Sequence, residues 1–248
     1  MAIKDISSST YDYKIEALTI LNYGPPGSGK TWFAGTMPKV YILSLDKGLK
    51  GLKLAGKQFD GCEVDTLDEL YKVIEEIIQG KRAKDCKSFV LDHLTEVTDL
   101  AITHTGLRTK DNKLKRSTWG EIADHARIVT RKFLDIAAVR NVPVCVIAHQ
   151  QIEKNELTGN IIGLPATVGK FAEQIGGFFD MYLYSRQDLK PVNGNWIPSW
   201  TVSTVNYLEF QAKDRTGTLD VTEPNDFPTL MAKIQARMEQ VKQGEYNA

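Results

Sequence analysis

Three cysteines in 248 residues, Cys62, Cys86 and Cys145, are too few and too scattered for a disulfide framework. They form no C-x-x-C pair and no cluster with histidine, so a structural zinc site is not expected, and a reducing compartment fits best. Charge of one sign is also missing: 31 Lys and Arg stand against 31 Asp and Glu. General attraction to a polyanion is thereby excluded, and any nucleic-acid contact has to come from a local patch. No apolar run approaches the roughly 20 residues that span a bilayer. The opening "MAIKDISSSTYDYKIEA" lacks the apolar segment of a secretion signal. A cytoplasmic protein with no membrane partner is expected. Internal repeats, low-complexity tracts and linkers are absent as well, so residues 15–248 read as one domain behind a polar, flexible segment 1–14.

What is present is an alternation of short apolar runs with amphipathic segments. "EALTILNY" (16–23), "VYILSLD" (40–46), "SFVLDHL" (88–94) and "VPVCVIAHQQ" (142–151) have the composition of buried strands. Between them "KTWFAGTM" (30–37), "TLDELYKVIEEIIQG" (66–80) and residues 118–141 read as helices. Thr66 with Glu69, and Thr118 with Glu121, have capping-box spacing. Trp119, Ile122, Val129, Phe133 and Ile136 form the expected buried stripe of the longest helix. Strands alternating with helices predict a mostly parallel sheet flanked by helices. Residues 152–170 read as a Gly-containing loop. "FFDMYLYSRQ" (178–187) and "SWTVSTVNYLEFQAKDR" (199–215) then read as strands around the turn signal Asn193-Gly194-Asn195, an antiparallel C-terminal extension. A helix near 227–242 closes the chain.

Gly24-Pro25-Pro26-Gly27-Ser28-Gly29-Lys30-Thr31 matches G-x-x-x-x-G-K-S/T in full, between a strand and a helix as that motif requires. Glycines let backbone N–H groups turn toward phosphate oxygens. The Lys30 ammonium would bridge β- and γ-phosphates, the Thr31 hydroxyl would join a Mg2+ shell, and Trp32 follows directly on the loop. An acid at the end of a neighbouring strand has to help hold that metal, and Asp92 ends "FVLD". The next residue is His93, where many P-loop ATPases carry a water-activating glutamate, so that group has to come from elsewhere or hydrolysis is slow. Asp46 reads either as this group, gathered with Asp92 at the rim of a parallel sheet, or as a turn residue before Gly48. His149 and Gln150 end another strand, as a γ-phosphate sensor or as a strand-end cap.

With these residues in place, the chain resembles the RecA-like P-loop ATPases, and among them the small phage-encoded proteins classed with single-strand annealing proteins (the Sak-four type), related to the RadA core. The resemblance covers about Leu18 to Thr218 and rests on "GPPGSGKTWFAGTMPKVYILSLDKGLKGL", "FVLDHLTEV", "STWGEI", "VCVIAHQQ" and "KDRTG". It implies a RecA-like α/β fold, ATP and Mg2+ as cofactors, and a ring or filament of identical subunits in the host cytoplasm. It further implies single-stranded DNA as ligand and a phage single-strand-binding protein as a further partner. Asp46 then matches the general base, one methylene shorter than the usual glutamate, and Gln150 matches the residue that couples nucleotide state to a DNA-facing loop. Lys213 and Arg215 match a Lys-x-Arg element that reaches a neighbour's nucleotide, or are two cations on an exposed edge strand. DNA contact falls to Arg108, Lys110, Lys113, Lys115 and Arg116 in the first loop, and to Lys154 and Lys170 in the second. Two other functions stay open: a nucleotide-gated scaffold with little hydrolysis, and a P-loop kinase of a small molecule.

Overall fold

A strand covered on both faces has to be apolar at nearly every position, and such strands of this chain lie together at the centre of one sheet. The structure, a computed structural model, describes residues 15–105, 118–154 and 159–243. Its first half runs β1 (Thr19–Gly24), α1 (Lys30–Ala34), β2 (Val40–Ser44), α2 (Lys50–Leu54), β3 (Asp60–Glu63), α3 (Leu67–Ile78), β4 (Ser88–Asp92), α4 (Leu94–Thr105), α5 (Thr118–Arg140) and β5 (Val144–Lys154). The second half adds β6 (Ile161–Pro165), α6 (Lys170–Gln174), β7 (Met181–Val192), β8 (Asn195–Ser203), β9 (Lys213–Asp214), β10 (Thr222–Pro224) and α7 (Phe227–Lys242). The sheet is ordered β10-β8-β7-β1-β5-β4-β2-β3, with β6 on β5 and β9 on β7. From β3 to β7 every pair along this path is parallel. β8 then folds back antiparallel through Asn193 and Gly194, whose φ of 51° and 81° are what a two-residue hairpin turn needs. This is the expected mixed α/β architecture of a P-loop NTPase. Among the described residues no helix is long and apolar enough to cross a membrane.

Successive side chains of a strand point to opposite faces, so each central strand feeds two cores. Leu21, Tyr23, Phe89, Leu91 and Val146 pack with α3 and α5 through Ile74, Val129 and Phe133. Ile20, Ile42, Val90, Cys145 and Ile147 pack on the other face with Phe33 of α1, Leu52 of α2 and Phe227 and Leu230 of α7. This parity also decides which strand-end residues face α1.

Several expectations need correction. β2 ends at Ser44, leaving Asp46 just beyond the strand, and β4 ends at Asp92, because Leu94 already begins α4. β3 was not foreseen; at an edge, with a pattern of mostly exposed residues, "DGCE" has no apolar signature. Residues 152–170 are not a plain loop: β5 continues to Lys154 and pairs antiparallel with β6. The strand expected over 199–215 stops at Ser203; after isolated bridges of Phe210 to Gly163 and Tyr207, Lys213–Asp214 pairs again as a strand, on the start of β7. Trp119 is 43% exposed, while Ile122, Val129, Phe133 and Ile136 are fully buried. It stands at the first turn of α5, lining a groove with Thr98 and Asp99 of α4 and Gln151 and Glu153 of β5, polar neighbours that leave it half open. The flexible segment 1–14 lies outside the described residues.

The Thr66–Glu69 capping box is closed in both directions, with Glu69 N donating to Thr66 Oγ1 at 3.2 Å and Thr66 N donating to Glu69 Oε2 at 3.1 Å. Thr66→Ala is therefore expected to cost about 1 kcal/mol in urea unfolding. An unchanged midpoint would mean that α3 is held by its buried face alone.

Candidate nucleotide-binding site

The cleft opens where β1 ends. A Cβ on Gly24 would overlap the Ser185 carbonyl oxygen of the neighbouring β7, so only glycine lets the chain leave the sheet there. Gly27 and Gly29 follow at φ 78° and 84°, in the left-handed region that glycine occupies without cost from a side chain. The loop then enters α1 at Lys30.

Lys30 is buried, and its Nζ donates to the carbonyls of Gly24 at 3.0 Å and Pro25 at 2.8 Å. Burial pushes its pKa down to about 8, opposed by the carboxylates of Asp92 and Asp46. Thr31 Oγ1 donates to Asp92 Oδ2 at 3.2 Å. Asp92 is 1% exposed and its Oδ1 has no partner within the protein. Burial, then the charge of Asp46, raises the Asp92 carboxyl to about 7, with the Thr31 hydrogen bond and Lys30 pulling the other way. Asp46 accepts from Gly48 N at 2.9 Å through Oδ1, and its Oδ2 lies 3.6 Å from His93 Nε2. His93 meets His149 edge-on, ring centroids 4.2 Å apart. Burial and the neighbouring His149 lower His93 to about 4, and burial with Lys30 lowers His149, so both imidazoles are neutral at pH 7. The cleft has a volume of about 730 Å³, and these side chains line it together with Trp32 and Trp200.

The donor set fits Mg2+. Thr31 Oγ1 and the unpartnered Asp92 oxygen are hard oxygen ligands, and a P-loop metal takes its remaining ligands from phosphates and water. Among the described residues no three His, Cys, Asp or Glu converge as a self-sufficient metal site. Thr31 and Asp92 would hold Mg2+, which would supply positive charge to offset that of the phosphates.

The structure thus brings together the loop residues Gly24 to Thr31, Trp32, Asp46 and Asp92. Gln150 lies elsewhere: strand parity turns it to the other face of the sheet, where its Oε1 accepts from the Tyr184 hydroxyl at 3.1 Å, and His149 is the residue that faces the cleft. Lys213 and Arg215 are also remote. β9 pairs with the start of β7, at the end of the sheet away from the loop, and Arg215 Nη2 donates to Gly177 O at 2.8 Å. Lys154 ends β5 and Lys170 begins α6, both exposed. Arg108, Lys110, Lys113, Lys115 and Arg116 lie outside the described residues.

Two residues that sequence reasoning missed hold the loop from the far end of the chain. Trp200 Nε1 donates to Gly27 O at 3.0 Å across 173 positions, and Asn225 Nδ2 donates to Gly29 O at 2.7 Å across 196. No local pattern announces such contacts.

An Asp92 carboxyl raised above its unfolded value disfavours the folded state wherever the ionised form prevails in the unfolded chain. In nucleotide-free protein Asp92→Asn is expected to raise stability by a few kcal/mol at pH 8, with the gain shrinking as pH falls from about 7 to about 4. Urea unfolding of both proteins at pH 8 and pH 5 checks this; a gain independent of pH would show that the buried charge is not its source.

No curated protein matches the chain. The AAA domain family matches residues 16–216, from just before β1 to just past β9, and so takes in the phosphate loop, Asp46, Asp92 and the strands between them. The loop geometry and this match agree: the chain belongs to the AAA domain family and is a P-loop ATPase-type protein.

Proposed function

We propose that the protein is a RecA-like ATPase that acts on single-stranded DNA in phage recombination, annealing or replication. The observation that supports ATP hydrolysis best is the meeting of Lys30, Thr31 and an almost wholly buried Asp92 at one end of β1 and β4. In this reading a water attacks the γ-phosphorus, the bond to the β–γ bridging oxygen breaks, and ADP leaves with that electron pair. Asp46 orients the water and takes its proton. Lys30 turns from the Gly24 and Pro25 carbonyls to the phosphates, where its charge stabilises the transition state. His149 faces the γ-phosphate and reports its presence through the backbone: its N donates to Thr95 Oγ1 at 3.1 Å, and Thr95 Oγ1 donates to Ala166 O at 3.1 Å beside β6.

The same rim carries the β5–β6 hairpin with Lys154 and the start of α6 with Lys170, which supports DNA contact there. Lys213 and Arg215, too distant to serve their own cleft, would reach the γ-phosphate of a neighbouring copy in a ring or filament. One observation favours a slower, nucleotide-gated scaffold instead: Asp46 Oδ1 is already engaged by Gly48 N and Oδ2 faces His93, so both oxygens have neighbours before a water arrives.

Steady-state Mg2+-ATP hydrolysis with and without single-stranded DNA separates the two. Turnover is expected to rise several-fold with DNA, and Lys30→Ala to lower kcat about a hundredfold or more. A low rate indifferent to DNA would sink the DNA-stimulated ATPase and leave the scaffold.

A further inference from the structure

The polar side chains lining the cleft form one connected set. Thr31 bonds Asp92 beside Lys30, Asp46 approaches His93 at 3.6 Å, and His93 meets His149 at 4.2 Å. All of them belong to the phosphate end. Apart from the loop glycines, the rest of the lining is Pro26, Ile147, Trp32 and Trp200. Ile147 lies beside Asp92 in the sheet register, which leaves Pro26 and the two indoles as the walls away from the phosphates.

Trp200 is the more firmly placed of the two. Its backbone carbonyl accepts from Asn225 N at 3.2 Å, and its only side-chain donor is committed to Gly27 O. One edge of the ring lies so close to Gly29 that a Cβ there would come within 2.9 Å of Cδ1. Even so, the residue is 44% exposed. A ring fixed at its edge, with area left open beside the phosphate loop, offers what a flat heteroaromatic base needs for stacking. Trp32 already has Lys57 Nζ over its ring, 4.5 Å from the centroid.

We propose that Trp200 is the platform for the nucleobase, held by its face and not read at its edge, so that the site binds ATP and GTP alike. The inference rests on the nucleotide-site reading above. Discrimination between bases requires hydrogen-bonding groups aimed at the base edge. Among the described residues the polar side chains of the lining all lie at the phosphate end, and exposed Gln187, which pairs with Trp200 across β7 and β8, stands outside that lining.

Calorimetric titration of the full chain with Mg2+ and ATP, GTP or inorganic tripolyphosphate tests this, in the wild type and in the Trp200→Ala, Trp200→Phe and Trp32→Ala variants. Wild-type Kd values for ATP and GTP are expected to agree within about threefold, both tighter than for tripolyphosphate. Trp200→Ala should weaken both nucleotides about tenfold to a hundredfold beyond whatever it takes from tripolyphosphate, whose loss is that of the Gly27 bond alone. Trp200→Phe, which keeps a ring but loses the bond to Gly27, should recover most of the loss.

An equal loss for all three ligands would overturn the platform, because Trp200 would then only brace the loop. A nucleotide-specific loss confined to Trp32→Ala, or a wild type that prefers ATP over GTP tenfold or more, would overturn it too. The wild-type comparison needs no variant to fold: nucleotides binding no tighter than tripolyphosphate would also refute a base platform. Wild-type protein that binds tripolyphosphate and neither nucleotide ends the platform alone, whereas failure to bind any of the three ends the nucleotide reading and the platform with it.

Discussion

The site depends on two opposite charges held nearly out of water without a direct bond between them. Lys30 gives its hydrogen bonds to loop carbonyls, and Asp92 receives one from Thr31 and leaves an oxygen unpartnered. Their ordinary charged forms are disfavoured by burial, as the direction of both pKa shifts shows. Such an arrangement weakens the empty protein and persists only where the surroundings over-determine it. Here they do. β1 and β4 are buried along almost their whole length, between two separate cores that pin each strand from both faces.

The C-terminal extension belongs to that support. β8 delivers Trp200 to Gly27, the segment after β10 delivers Asn225 to Gly29, and Phe227 N donates to Thr36 Oγ1 beside α1 at 2.9 Å. The phosphate loop is thus gripped at its outer edge by residues the chain reaches last, while β5 and β7 fix the strand that leads into it. Because the grip comes through backbone carbonyls, it uses none of the loop's N–H groups, of which Ser28 N donates to Pro25 O at 3.3 Å within the loop.

What could be read in the sequence follows from how local each determinant is. The phosphate loop, the α3 capping box and the buried strands are set by neighbours within a few positions, and all were legible. Strand parity was legible too but went unused. Asp92 shares the face of Val90, and the β4–β5 register puts Ile147 beside it, so His149 and not Gln150 had to turn toward α1. Trp200 and Asn225 were not legible, because their partners lie more than 170 positions away. β3 and β6 are short pieces with exposed positions and carry no periodic signal. Trp119 fits the helical stripe by spacing, yet at the first turn of α5 its neighbours are polar residues of α4 and β5 and not the apolar core.

Geometry also constrains any assembly. The cleft lies at the C-terminal ends of the parallel strands, whereas Lys213 and Arg215 lie at the opposite end, tied to the start of β7 and to Gly177. Burial and the nearby Arg215 lower the Lys213 pKa, with the Asp180 carboxylate opposing them, and an added anion shared between the two cations would relieve their repulsion. If that anion is a γ-phosphate it belongs to another copy, and one end of a subunit then faces the other end of the next. Where such a contact is heterologous it repeats from copy to copy, closing into a ring or running on as a filament according to the rotation at each step.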